Sequence, residues 1–255
     1  MAIDVNKLII TEVAQITAFN NAGELEFVLD EIQDATISNT EETTDVTGRN
    51  GRKIASLKKN KAVTISATNG LLSCSLLSAQ TGKDIEHGTF KVRITDVVKV
   101  NTNKATTSKT AVGTLGSEIG IAYVKNADGT LGTKLEQDAV ASSGKFAYNP
   151  SNNEITTDSI ADDTELVLFY DVEVESAKIS NDSETYSKVV KLYVDVVCVD
   201  NCDREYKAQI LIERCSVKGE FELALGGDNF AHSFEGESLA GGCTGSTKLW
   251  DMIVY

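Results

Sequence analysis

Apolar and polar residues alternate along most of the chain, a pattern typical of β-strands that bury one face. The alternation is clearest in ELVLFYDVEVE and KVVKLYVDVVC and continues in later segments. The residues that it assigns to buried faces are Leu166, Leu168, Tyr170, Val172 and Val174; Val190, Leu192, Val194, Val196 and Cys198; Tyr206, Ala208, Ile210 and Ile212; and Phe221, Leu223 and Leu225. Polar turns separate these runs, which predicts a mainly β protein of antiparallel sheets.

Shorter alternating runs extend this prediction to the rest of the chain. In the first half, Val63 and Ile65 begin one strand. A second run comprises Phe90, Val92, Ile94, Val98 and Val100, with Asp96 interrupting its apolar face. The final residues, KLWDMIVY, predict a closing strand.

One segment has a helical rather than an alternating pattern. In NGLLSCSLLSAQTGK, the residues at helical spacing are Leu71, Leu72, Cys74, Leu76 and Leu77. Gly82 follows them and is suited to end a helix. The pattern predicts one amphipathic helix over 71–81, lying across a sheet.

Residues 101–163 differ in composition, being rich in Thr, Gly, Asn and Ser. Weak strand patterns occur at 119–124 and 145–148, and NADGTLG is typical of a hairpin turn. We interpret this stretch as an insertion, or a set of elaborated hairpins, within a single domain spanning 1–255.

Charge and length narrow the possible functions. The 255 residues carry a formal net charge of −14, which argues against general nucleic-acid binding, since that requires a basic surface. No apolar run reaches the 18 residues of a membrane span. The first residues, MAIDVNKLIITEV, lack the features of a secretory signal, so we expect synthesis in a cytoplasm.

The cysteines predict free thiols rather than a disulfide framework. The chain has five, an odd number. A zinc site built on CVDNC would need Cys215, His232 or Cys243 to converge from separate segments, so we predict no metal site.

Catalytic motifs are also lacking in the sequence. GxSxG and HExxH do not occur. We expect neither His87 nor His232 to be catalytic, and a packing role for His232, which lies between Phe230 and Phe234. TGRNGRK lacks the spacing of a phosphate-binding loop. We therefore predict no catalytic residue and no cofactor site, and an enzyme is the least favoured class.

A cluster of positive charge stands out against the acidic background. Six of the chain's 24 Lys and Arg residues fall within 49–61, a segment that we interpret as a glycine-broken loop. They are Arg49, Arg52, Lys53, Lys58, Lys59 and Lys61.

Three stretches together resemble the major tail tube proteins of long-tailed bacteriophages. They are DVTGRNGRKIASLKKNKAVTISATNGLLSCSLLSAQTGK, KAQILIERCSVKGEFELALGGDNFAHSFEGESLAGG and the terminal KLWDMIVY. The resemblance implies two packed antiparallel sheets, as a sandwich or barrel, flanked by one α-helix. It also implies hexameric rings in which hairpins join into a continuous barrel, and stacking of these rings into a tube.

The same resemblance implies partners and a location. The partners would be tape-measure, tail-terminator and baseplate or tail-tip proteins, with DNA passing through the lumen unbound. The protein would reside in the virion tail after assembly in the bacterial cytoplasm, with no membrane contact.

Within this picture we expect two sets of functional residues. Candidates for ring stacking are Arg49, Gly51, Arg52, Lys53, Lys58, Lys59 and Lys61, whose charge would offset repulsion between acidic subunits. Candidates for the lumen wall are Glu24, Glu26 and Asp30, because an acidic surface repels phosphate.

Three alternatives stay open. The basic segment could be a solvated loop without a partner. The protein could be another virion component, such as a head decoration or tail-terminator protein. It could also be a β-sandwich that binds carbohydrate or a host surface.

Overall fold

The computed structural model describes residues 7–223, 230–241 and 246–255. These residues form a mainly β protein with two sheets and one α-helix, as the sequence predicts. The strands are β1 (Leu8–Phe19), β2 (Leu25–Leu29), β3 (Ile32–Thr47), β4 (Lys53–Asn69), β5 (Glu86–Lys99), β6 (Lys104–Thr106), β7 (Ile121–Lys125), β8 (Leu131–Gln137), β9 (Lys145–Asn149), β10 (Glu154–Thr157), β11 (Glu165–Lys178), β12 (Val189–Asp200), β13 (Glu205–Val217), β14 (His232–Ser238) and β15 (Asp251–Val254). The helix is α1 (Cys74–Thr81).

The chain divides into two compact units. The first unit comprises Met1–Glu86 and Ile179–Tyr255, and the second comprises His87–Lys178. Each unit has its own cluster of buried apolar side chains. The Thr- and Gly-rich stretch 101–163 lies within the second unit. The single domain with an insertion at 101–163 stays a prediction.

The sheet of the first unit curves around its core. Its strand order is β2-β1-β12-β13-β14-β4-β3, with β15 also paired to β13. Although β2 and β3 stand at opposite ends of this order, only Asp30 and Glu31 separate them in the chain. Phe27 on β2 also contacts Phe234 on β14, with ring centroids 5.6 Å apart. The two ends of the sheet therefore approach each other around a shared interior.

The predicted alternation accounts for that interior. All five residues predicted to face inward on β12 are buried, as are the inward residues 208, 210 and 212 of β13. Of the described residues 221–223, Leu223 forms an isolated bridge with His232. Leu225 lies outside the described residues.

The helix begins later than the sequence predicts. The side chain of Ser73 accepts a hydrogen bond from the backbone N–H of Leu76 at 3.2 Å and so caps α1. The predicted start at residue 71 was wrong because this cap places Leu71 and Leu72 before the helix, where both are exposed. The predicted end is confirmed, since Gly82 adopts the left-handed conformation with φ of 76°.

The second unit holds the other sheet, with strand order β5-β11-β7-β8-β9-β10-β6. The weak strands predicted at 119–124 and 145–148 are present as β7 and β9. The NADGTLG turn joins β7 to β8, with Gly129 N–H donating to the Asn126 carbonyl at 2.9 Å. The prediction of antiparallel pairing was wrong for β8 and β9, which run parallel.

Asp96 interrupts the apolar face of β5 for a structural reason. Its Oδ2 atom accepts the hydroxyl of buried Tyr170 and the backbone N–H of Ser108, each at 2.7 Å. The carboxylate thus satisfies two groups that would otherwise lack partners inside the second unit.

The closing strand is shorter than predicted. β15 contains four residues and pairs antiparallel with residues 208–211 of β13. Trp250 precedes it and is partly exposed. In the described part of the chain, no helix has the length and apolar character needed to cross a bilayer.

Candidate functional site

The distal half of the β3–β4 hairpin, residues 38–61, is exposed to solvent along almost its whole length; we call it the arm. Every residue in it is exposed except Gly48, which is half-buried. β3 is the last strand of its sheet, and β4 pairs with β14 only through residues 64–69. A two-stranded hairpin without a packed face is marginally stable in water. The arm therefore has the character of a surface that a partner covers.

The predicted stacking residues all lie on the arm, but not in a loop. Arg49 and Gly51 form the tip with Arg52 following, while the four predicted lysines lie on β4. Interpreting 49–61 as a loop was wrong from residue 53 onward, because that stretch pairs with β3. The six cations consequently lie along a hairpin with defined register.

Two of these cations are paired within the arm. Lys53 lies 2.7 Å from Asp45, and Lys58 lies 2.6 Å from Glu41. The hydrogen bond and charge of Lys58 lower the pKa of Glu41. Across the described residues, no ion pair involves Arg49, Arg52, Lys59 or Lys61, which leaves these four cations available to a partner.

The arm also exposes apolar side chains, which sequence reasoning missed. Val46, Ile54 and Leu57 are 40%, 65% and 58% exposed. These apolar residues are visible in the sequence, but the lysines beside them drew attention to charge alone. Apolar groups next to unpaired cations are typical of interaction surfaces.

The three predicted lumen residues lie around β2. Glu24 and Asp30 are exposed at its two ends, whereas Glu26 is partly buried on the strand. Glu26 pairs with Lys188 at 2.9 Å, and Lys188 also pairs with Asp84 at 2.7 Å. Glu26 therefore shares one lysine with Asp84 within the subunit, whereas Glu24 and Asp30 form no ion pair with a described residue.

A larger acidic and small-polar surface, which we call the polar face, covers the solvent side of β3, β4 and β14. Strand register aligns it in three rows, and these are Asp34–Thr68–Ser233, Thr36–Ser66–Glu235 and Ser38–Thr64–Glu237. The stretch KAVTISATN contributes its middle strand, through Thr64, Ser66 and Thr68. The contribution of β14 was missed because its pairing with β4 is not visible in the sequence.

A wide cleft lies on the solvent side of β1, β12 and β13; we call it the aromatic cleft. Its volume is about 720 Å³. Phe19 and Tyr193 meet edge to face on its floor, with ring centroids 5.7 Å apart. Asp195 accepts a hydrogen bond from Gln209 at 2.8 Å, and Glu213 pairs with Lys191 at 3.1 Å. No sequence pattern predicted this cleft, because its residues come from three strands and from the turn that joins β1 to β2.

The two histidines lie in different environments. His87 is exposed on β5. His232 is fully buried, and burial lowers its pKa. Its ring bonds to Ser73 and Gln80, which accounts for its position without a catalytic role.

The cysteines include no disulfide among those described. Cys198 and Cys215 are buried, and Cys74 and Cys202 are exposed free thiols. Burial raises the pKa of Cys215 to about 12. Cys243 lies outside the described residues. In the described ranges, no three His, Cys, Asp or Glu side chains gather as a metal site would require.

Comparison with known proteins identifies the family of this chain. No curated protein matches the chain by sequence. The model of the YomU/Tube protein family matches residues 8–250, a span that includes the arm, the polar face and the aromatic cleft. The match extends over nearly the whole chain, and it agrees with the tail-tube resemblance of the arm and helix motifs. The chain therefore belongs to the YomU/Tube protein family and is a structural component of a phage tail.

Proposed function

We propose that the protein assembles into hexameric rings that stack into a tail tube, through which DNA passes to the host. The observation that carries this proposal is the arm, an exposed hairpin with unpaired strand edges on a protein of a tube family. The proposed role is structural and requires no catalysis.

Strand edges supply the driving force for ring formation. Unpaired N–H and C=O groups on an edge pair readily with another strand, and closing strands around an axis removes such edges. β3 offers one free edge and the distal part of β4 offers another. Pairing of these edges between copies would join the subunits into a continuous barrel.

Charge explains why the arm is basic on an acidic chain. Subunits of net charge −14 repel one another, and this repulsion acts within about 10 Å at moderate salt. The four unpaired cations of the arm offset it where copies meet. Arg49 and Arg52 are suited to bidentate pairing with carboxylates.

The polar face is suited to line the lumen. DNA must slide along such a wall without adhering, and adhesion depends on cations that replace the counterions of phosphate. Asp34 and Glu237 contribute negative charge here, Glu235 is balanced by Lys218 at 2.7 Å, and the remaining side chains are small hydroxyls. Glu24 and Asp30 would add to the same electrostatic barrier.

The assembled tube would meet other tail components. A tape-measure protein would occupy the lumen during assembly, and tail-terminator and baseplate or tail-tip proteins would cover the two ends. Assembly would take place in the bacterial cytoplasm, and the finished tube would be part of the virion.

Electron microscopy of the purified protein tests this function. We expect negatively stained samples to show tubes with a central channel, whose number rises with protein concentration. A protein that stays monomeric at high concentration would contradict the proposal. Small discrete oligomers would instead favour a head decoration or tail-terminator role, and binding on a glycan array would favour a carbohydrate-binding one.

A further inference from the structure

The aromatic cleft has the chemistry to receive the tip of the arm. We propose that the arm tip of one copy inserts into the aromatic cleft of the next copy. This proposal rests on the proposed function and identifies the acceptor surface that self-assembly requires.

The two surfaces lie in different parts of one sheet. The arm belongs to β3 and β4, at one end of the strand order, whereas the cleft lies on β1, β12 and β13, toward the other end. A contact between two different surfaces is head-to-tail. It leaves one donor and one acceptor free at every step, so it repeats until the structure closes into a ring or continues as a tube.

Charge complementarity favours this pairing. The tip carries Arg49 and Arg52 without an ion-pair partner among the described residues. The cleft presents Glu213, which pairs with Lys191, and Asp195, whose Oδ1 atom accepts a hydrogen bond from Gln209. Asp195 has no ion-pair partner among the described residues. Each carboxylate retains free lone pairs for a guanidinium group.

Aromatic rings in the cleft strengthen the match. Arginine pairs with carboxylates and also stacks on aromatic faces, which suits it to a site containing both. Phe19 and Tyr193 lie beside the carboxylates. The Lys191 ammonium already lies 5.4 Å from the centroid of the Tyr193 ring, so this site holds a cation next to an aromatic face within the subunit. The cleft's volume of about 720 Å³ leaves room for more than one arginine side chain.

An apolar contact continues the surface beyond the cleft. Gln209 in the cleft is in register with Ile253 of β15, which is 56% exposed. Ile54, which follows the arm tip, is 65% exposed. With the arginines in the cleft, Ile54 and Ile253 can cover each other and lose their contact with water.

The other acidic cleft is a poorer acceptor. It lies on the polar face, beside Asp34, Glu220 and Glu235, and its volume is about 170 Å³. Its lining aromatic residue, Phe234, is buried and offers no face for stacking. Insertion there is the competing outcome that the experiment must separate.

A charge exchange between two variants tests the proposal. R49E/R52E reverses the arm tip and D195K/E213K reverses the cleft, and all four positions lie on solvent-facing surfaces. We expect each variant alone to form tubes only at a protein concentration about tenfold above that needed by wild type. We expect an equimolar mixture to recover assembly, because each reversed surface meets its complement.

The control is D34K/E220K, which reverses the other acidic cleft. Recovery of R49E/R52E assembly by this control, but not by D195K/E213K, would place the tip on the polar face and overturn the proposal. Thermal unfolding of every variant checks that it folds. If D195K/E213K unfolds, D195N/E213Q replaces it, and unchanged assembly of that variant overturns the proposal.

A crosslink gives an independent measurement. Mixing R52C with N21C, at the cleft rim, should produce an intermolecular disulfide that mass spectrometry assigns to these two positions. If wild type forms tubes but the mixture of R52C and N21C gives no such crosslink, the insertion of the tip into the cleft is overturned and the proposed function is left intact. Failure of wild type to form tubes would overturn both.

Discussion

The Nδ1 atom of His232 accepts a hydrogen bond from the backbone N–H of Ser73 at 3.3 Å, although 159 positions separate the two residues. This bond requires a neutral ring that carries its proton on Nε2, which donates to Gln80 Oε1 at 3.0 Å. The ring thereby joins β14 to the N-terminal cap of α1 and to its last turn. Protonation of Nδ1 would place its hydrogen against the backbone N–H of Ser73, so this hydrogen bond would be lost.

We expect stability of the first unit to fall on mild acidification. Burial lowers the pKa of His232 in the folded protein, so the unfolded chain binds the proton first as pH falls through its ordinary value of 6.5. The neutral His232 ring contributes fully to the unfolding free energy at pH 7.5, and this contribution declines toward pH 5.5. Urea unfolding at pH 7.5 and at pH 5.5 measures the difference. H232N should lower stability at pH 7.5 and lose this dependence, whereas H87N, at an exposed position, should retain it.

Replacing Gly82 should destabilise the end of α1. Gly82 has φ of 76°, and an added Cβ would overlap the backbone carbonyl of Tyr186. G82A should therefore lower the unfolding free energy by more than the roughly 1 kcal/mol that a non-glycine residue loses in the left-handed conformation alone. The matched control is G23A, since Gly23 has φ of 85° with open space around it. Equal losses of unfolding free energy for the two variants would contradict this explanation.

Asp96 should stabilise the second unit through its charge. Burial raises its pKa, but the hydrogen bonds from Ser108 and Tyr170 outweigh burial and hold the pKa below its usual value. Its contribution is present at neutral pH and is lost as pH falls through the lowered pKa. D96N should cost about 1–3 kcal/mol. Hydrogen exchange of residues 87–178 measures this loss, and the exposed D158N serves as the control.

Reversal of the arm tip should impair assembly without affecting folding. Arg49 and Arg52 are exposed and form no ion pair with a described residue, so R49E/R52E should unfold at the wild-type temperature. Tube formation, measured by sedimentation, should decrease strongly. K99E/K109E makes the same change of net charge on the second unit. A similar defect in that control would attribute the effect to overall charge rather than to the arm.

Basic substitutions on the polar face should make the tube retain DNA. Ser66 lies in the middle row, between Thr36 and Glu235. S66K adds one cation per subunit, and many such cations along a tube give strongly salt-dependent binding to phosphate. Fluorescent DNA incubated with tubes should be retained by the variant at low salt and released at high salt. The control is D158K, which places a lysine on the second unit. Tubes of D158K that retain DNA, together with tubes of S66K that do not, would contradict the assignment of the polar face to the lumen.

Local patterns predicted much of the fold. Alternation identified the buried faces of β11, β12 and β13, because a strand with one buried face imposes a period of two on its own sequence. Gly82 marked the end of α1 for a similarly local reason. The start of α1 was misplaced because a run of leucines at 71–77 satisfies the helical pattern on both sides of the Ser73 cap.

The assembly surfaces were harder to predict because they depend on pairing between distant segments. The basic cluster at 49–61 was visible, but nothing local distinguished a loop from a long hairpin whose partner strand carries Glu41 and Asp45. The aromatic cleft combines Phe19 with Tyr193, and only the β1–β12 register brings them together. The parallel pairing of β8 and β9 was likewise beyond reach, since strand direction leaves no mark on alternation.

The second unit begins and ends on neighbouring strands, β5 and β11. Near these ends, the Lys178 ammonium lies 4.8 Å from the centroid of the Phe90 ring, so the side chains close to the entry and the exit of the unit are in contact. Any folded polypeptide whose termini lie about 5 Å apart satisfies the same geometric condition. The junction at residues 86 and 179 is accordingly a natural point for exchanging one module for another, whether by recombination between genomes or by grafting a cargo chosen in the laboratory.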